Sequence, residues 1–106
     1  MVSDARDKTD IRDTVLGLDF IMKLRAVDWR VDSRSKYSSD EIKDGSKAGK
    51  RFHHGFVAQE IKQIIDDTGV DFAGFNDCAY SGGAEQMYLS YTELFGPLVK
   101  AVQEQQ

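Results

Sequence analysis

The segment Ser3-Asp4-Ala5-Arg6-Asp7-Lys8 sets a hydroxyl nucleophile and an amine base five residues apart. A Ser-Lys pair can carry acyl transfer, the neutral amine taking the hydroxyl proton as the oxygen attacks a carbonyl. Lysine works as a base only where burial or a neighbouring cation disfavours its charged form. Arg6 is a candidate for that neighbour. Taken alone, the same residues also read as a polar tail ahead of a helix, and spacing does not choose between the two. His53-His54 has no Asp or Glu two or three residues away, so the pair does not make a metal motif, and a structural or surface role is its default reading. Cys78 is the only cysteine, which excludes an internal disulfide and suits a reduced thiol. No phosphate loop, zinc cluster or Ser-His-Asp signature is present.

The elements that must position these residues follow from periodicity. Ile11, Val15, Leu18 and Met22 recur at helical intervals, with Ile21 and Leu24 widening the face, so a helix is expected over 12–24. Thr14 is a possible cap for it, and Gly17 weakens its middle. Val27, Trp29 and Val31 alternate with Asp28 and Arg30, which predicts a half-buried strand over 26–31. Residues 51–54 are expected to return as a strand beside Trp29. Between them, residues 32–50 carry few apolar side chains (Tyr37, Ile42, Ala48) and read as a long exposed excursion.

A second helix is expected over 56–68, with Val57, Ile61, Ile64 and Ile65 on its apolar face and Gly69 as its C-cap. Asp66-Asp67 then reads as a solvated helix end. A short strand over 70–75, a loop over 76–85 holding Gly82-Gly83, and another strand over 87–91 follow. The last helix is expected to start at Thr92 as N-cap, with Pro97 early enough to be tolerated and Leu94, Leu98, Ala101 and Gln105 on one face. Val102 lies beside them, and a pattern still running at the last residues suits a helix that packs against copies of itself.

With 106 residues the chain is read as one domain over 1–106, small enough that self-association would help its stability. The net charge of -4 and the absence of aromatics interleaved with a basic patch argue against nucleic-acid binding. No apolar run nears the ~20 residues of a membrane span, and the first residues lack the apolar stretch of a signal peptide. Folding in a cytoplasm is therefore expected.

Four segments, in order and spacing, resemble one family. They are Ser3-Asp4-x-Arg6-x-Lys8; Leu18…Leu24-Arg25-x-Val27-x-Trp29; His53-x-Gly55-Phe56-Val57-Ala58-Gln59-Glu60; and Leu89-x-Tyr91…Leu94-x-x-Pro97-Leu98-Val99-x-Ala101-Val102-Gln103-Glu104. The family is the intramolecular chaperone, or S74 peptidase, domain of endosialidases and other bacteriophage tailspikes and tail fibres. A related domain occurs in membrane-tethered transcription factors of animals. The first and third segments are the specific ones, and the resemblance extends over nearly the whole chain.

The resemblance implies an α+β fold, mainly helical, with small antiparallel strands, a protruding loop that grips the fibre (here residues 32–50) and a C-terminal helix that packs in a homotrimer. It implies a C-terminal position behind a fibre whose β-structure it helps to fold, in the host cytoplasm during virion assembly, followed by self-release between Val2 and Ser3. One departure from the family is that only Met1 and Val2 precede that bond, so no fibre is present in this sequence. Carried over by position, Ser3 would be the nucleophile and Lys8 the general base and acid. Arg6 and His53 match positions that support cleavage, whether by orienting the site or by stabilising the oxyanion. His54 receives no role. No cofactor or metal is implied. The alternatives are a trimerisation and folding module that does not cleave, a Ser-Lys hydrolase acting in trans, and an animal-type regulatory form of the domain.

Overall fold

Gly17 decides where the first helix begins. It is buried against the last turn of the chain's final helix, and a Cβ there would stand 1.9 Å from Glu104 Oε1. The Glu104 carboxylate accepts the Leu18 N–H at 3.0 Å, capping a helix 86 residues away in sequence. Helix α1 accordingly spans Leu18–Lys23, not 12–24. Thr14 caps only a local turn, its hydroxyl accepting the Leu16 N–H at 3.1 Å. The periodic residues Ile11, Val15 and Met22 are exposed, and Leu16 and Phe20 are the ones that enter the core.

The computed structural model describes residues 2–77 and 86–105. It is an α+β fold of three helices and two small antiparallel sheets. Strand β1 (Val27–Arg30) pairs with β2 (Phe52–Gly55), Trp29 opposite His53 and Asp28 opposite His54. The first lies where the alternation placed it, and the second is the expected return beside Trp29, each within a residue or so. Helix α2 (Ala58–Thr68) ends at Gly69, whose φ of 73° is the left-handed conformation that a glycine cap provides, its N–H reaching Ile65 O at 2.8 Å.

The expected strand over 70–75 is instead irregular chain that drops Phe72 into the core, and pairing starts only at Phe75. Strand β3 (Phe75–Asp77) meets β4 (Met87–Leu89), which is shorter than the expected 87–91. Cys78 and Gly82-Gly83 lie outside the described residues. Thr92 caps nothing. A 3-10 turn at Tyr91–Leu94 runs directly into α3 (Phe95–Glu104), which buries Pro97 and Ala101. Pro97 falls in the first turn, where its missing N–H has no intrahelical partner to lose.

Leu16, Phe20, Ile61, Phe72 and Leu94 form the core. Phe20 and Phe72 pack their rings 5.3 Å apart. Ile61, 2% exposed, sits at the centre and contributes roughly 1.5–3 kcal/mol through its burial. Around it, α1 packs on α3, and α2 on the β3–β4 ribbon.

Residues 32–50 form the exposed excursion between β1 and β2, closed at its base by Gly49 N–H donating to Val31 O at 2.7 Å. Polar bonds stand in for a core here. Tyr37 Oη donates to Asp32 Oδ1 at 2.7 Å, and Lys43 Nζ lies 2.9 Å from Asp32 Oδ2. Lys43 first, and Tyr37 with it, holds the Asp32 carboxyl below the usual aspartate range. Lys47 sits over the Tyr37 ring, 5.2 Å from its centre, and pairs with Glu41 at 2.9 Å. Among the described residues no helix is long and apolar enough to cross a membrane.

Candidate functional site

Asp4 organises the N-terminal segment. Its backbone is extended, and its side chain accepts the Arg6 N–H at 2.9 Å, capping a 3-10 turn at Ala5–Asp7. Asp7 N–H then reaches Asp4 O at 3.0 Å, and Lys8 N–H reaches Ala5 O at 3.1 Å. The turn doubles the chain back, so that Lys8 Nζ donates to Ser3 Oγ at 2.8 Å. That distance serves proton transfer in either direction: a charged amine donates to the hydroxyl, and a neutral one accepts its proton.

The Arg6 guanidinium lies along the Asp4 carboxylate, Nη2 to Oδ2 at 2.7 Å and Nε to Oδ1 at 3.1 Å. This charge-assisted fork lowers the Asp4 carboxyl below its usual range and raises Arg6. Residues 2–10 are all exposed. The structure thus brings Ser3 and Lys8 together and commits Arg6 to Asp4.

His53 stands elsewhere. It is exposed on β2 and packs on its cross-strand partner Trp29, ring centres 6.1 Å apart. Among the described residues, no hydrogen bond or ring contact joins it to Ser3 or Lys8. His54 Nδ1 lies 2.6 Å from Asp28 Oδ1, a directly opposed pair that the sequence left without a role. Strand register was the missing signal, because alternation alone gives the face of a residue but not its neighbour.

Segments far apart in the chain meet around this sheet. The Tyr91 hydroxyl accepts the Phe56 N–H at 3.2 Å, and the two rings meet edge to face at 5.9 Å. A Cβ at Gly55 would stand 2.1 Å from that hydroxyl, which is why the turn from β2 into α2 needs glycine there. Arg25, just after α1, grips Glu60 in the first turn of α2 with both arms of its guanidinium. Both side chains are exposed, so the pair fixes orientation more than it stabilises. Trp29, Arg51, Phe52, His53, His54 and Tyr91 line an open recess beside the sheet.

The chain belongs to the family of chaperones of endosialidase, the S74 peptidase family, whose family model matches residues 3–70. That match takes in Ser3 to Lys8, both strands of the first sheet and all of α2; it stops short of Tyr91 and α3, so the resemblance seen in the last segment lies beyond it. No curated protein and no solved structure matches the chain. A chaperone role follows from the family.

Proposed function

We propose that this chain is a C-terminal intramolecular chaperone domain that trimerises, helps an upstream tail-fibre or tailspike β-structure to fold, and then cuts itself free between Val2 and Ser3. The observation that carries the cleavage step is the 2.8 Å contact between Lys8 Nζ and Ser3 Oγ in a chain of this family. Neutral Lys8 takes the Ser3 hydroxyl proton as Oγ attacks the Val2 carbonyl. The tetrahedral intermediate collapses, the Val2–Ser3 C–N bond breaks, and Lys8 returns the proton to the leaving amine. The resulting ester between Val2 and Ser3 is then hydrolysed by water, freeing a Val2 carboxylate and the Ser3 hydroxyl and leaving Ser3, whose amine is already free, as the new N-terminus. One turnover per molecule suffices, and no action on other proteins is expected.

Trimerisation draws support from α3. Leu94, Pro97 and Ala101 face inward, whereas Phe95, Leu98, Val99 and Val102 leave a second apolar side in water. Three tethered chains raise one another's effective concentration, which offsets the slow search for register in an intertwined β-structure. Assembly would take place in the host cytoplasm, residues 32–50 would grip the fibre, and His53 would act only once the trimer brings it to a scissile segment.

The full exposure of residues 2–10 favours one alternative, a module that trimerises without cleaving. Expressing the domain with its upstream fibre segment and weighing the products by intact mass spectrometry separates the two. Wild type split at Val2–Ser3, with Ser3→Ala and Lys8→Ala whole, supports self-release; whole wild-type trimers leave the folding module standing.

A further inference from the structure

We propose that Asp4 and Arg6 act as a positioning pair for Lys8, Asp4 shaping the turn that returns Lys8 to Ser3 and Arg6 keeping the Asp4 carboxylate from pairing with Lys8. The inference rests on the self-cleavage reading above. Asp4 accepts the Arg6 N–H, and both its oxygens face the Arg6 guanidinium. Lys8 is bonded instead to the Ser3 hydroxyl. Asp7 and Asp10, the other carboxylates of the segment, make no hydrogen bond or ion pair with Lys8, and neither does any charged side chain of another element among the described residues.

The arrangement matters because a base must be free to lose its proton. Asp4 adjoins Ser3, the residue that Lys8 bonds, and precedes Lys8 by four residues across a single turn, so on this proposal its carboxylate is the one that would compete for the amine. A carboxylate paired with an amine favours the charged form of that amine. Arg6 removes this competition by saturating the carboxylate with a stronger, forked partner. On this reading Arg6 does its work through Asp4, and its guanidinium is not the group that meets the oxyanion.

The two roles make opposite demands on a double variant. The test uses the domain joined to its upstream fibre segment, with cleavage rates measured by intact mass across a pH series and trimer mass checked for each protein. Arg6→Ala should cleave about two- to fivefold more slowly near neutral pH, with its pH–rate profile moved to higher pH, because the freed carboxylate favours the charged amine. Adding Asp4→Asn should recover much of the rate and return the profile, since asparagine still offers a capping oxygen but no charge. An Arg6→Ala variant as fast as wild type overturns the proposal. So does a double variant as slow as Arg6→Ala with an unmoved profile, which would place Arg6 at the oxyanion or in the scaffold. A wild type that fails to split, or a Ser3→Ala variant that does split, overturns the self-cleavage reading itself and this one with it.

Discussion

Residues 3–8 and the body built from α1, α2 and α3 hold their shapes by different means. The body closes around Leu16, Phe20, Ile61, Phe72 and Leu94, contacts that draw on residues from across the chain. The N-terminal turn buries nothing, and every bond it makes is to a residue at most five positions away. A shape made from local polar bonds is weakly held and readily re-aimed, whereas a packed core is shared by every element that lines it. The Ser3–Lys8 pair on the first kind of structure can be altered without touching the second, and this separation is open to experiment.

The largest effect should fall on chemistry alone. On the proposed mechanism Ser3→Ala lowers the cleavage rate about a thousandfold or more, while its melting temperature stays within a degree or so of wild type; a large fall in melting temperature would break the separation. Ile61→Ala should do the reverse. Truncating the side chain at the centre of the core costs about 2–5 kcal/mol in denaturant unfolding, and any surviving folded trimer should still cleave. Glu104→Ala sharpens the comparison from inside the body, removing the cap on α1 for about 1 kcal/mol. Its signature is faster amide exchange at Leu18 with the N-terminal turn unaffected.

The smallest effect belongs to residues 32–50, which resemble the N-terminal turn in relying on polar bonds. The Asp32 carboxyl is depressed by Lys43 and Tyr37, so its ionised form favours the folded loop. That contribution is complete above the ordinary aspartate range near pH 4 and is lost as pH falls through the lowered value. Chemical shifts of Tyr37 followed from pH 6 to pH 2 should report loosening of the loop at the acid end, and Asp32→Asn should reduce the dependence to what Glu41 and Asp44, both also held below their usual range, contribute.

Legibility in the sequence followed the same division. Patterns read within one element survived: the alternation about Trp29, the glycine after α2, and the polar run of residues 32–50. What failed depended on distant partners. Ile11 and Val15 have helical spacing, yet Gly17 is occupied from outside by Glu104, and nothing in residues 11–24 announces that. Thr92 is a good capping residue by type, but Tyr91 is held by Phe56 and Gly55, and the chain enters α3 through a tighter turn. Phe72 breaks the expected strand over 70–75 because the core takes its ring. The Asp4–Arg6 fork was within reach of a local reading, since an acidic cap two residues before an arginine is a short-range pattern; the His54–Asp28 pair was not, because it requires the register of two strands separated by a long excursion.

The bond from Glu104 to Leu18 also sets a clock. During synthesis at about 5–20 residues per second, some 4–17 seconds pass between the emergence of Leu18 and that of the residue that caps it. Throughout that interval α1 has neither its cap nor the helix it packs against, whereas the β1–β2 hairpin has both its strands once Gly55 has emerged. The body of the domain is thus completed only after the ribosome has read its last turn, and whatever precedes it on the same polypeptide has by then been translated in full.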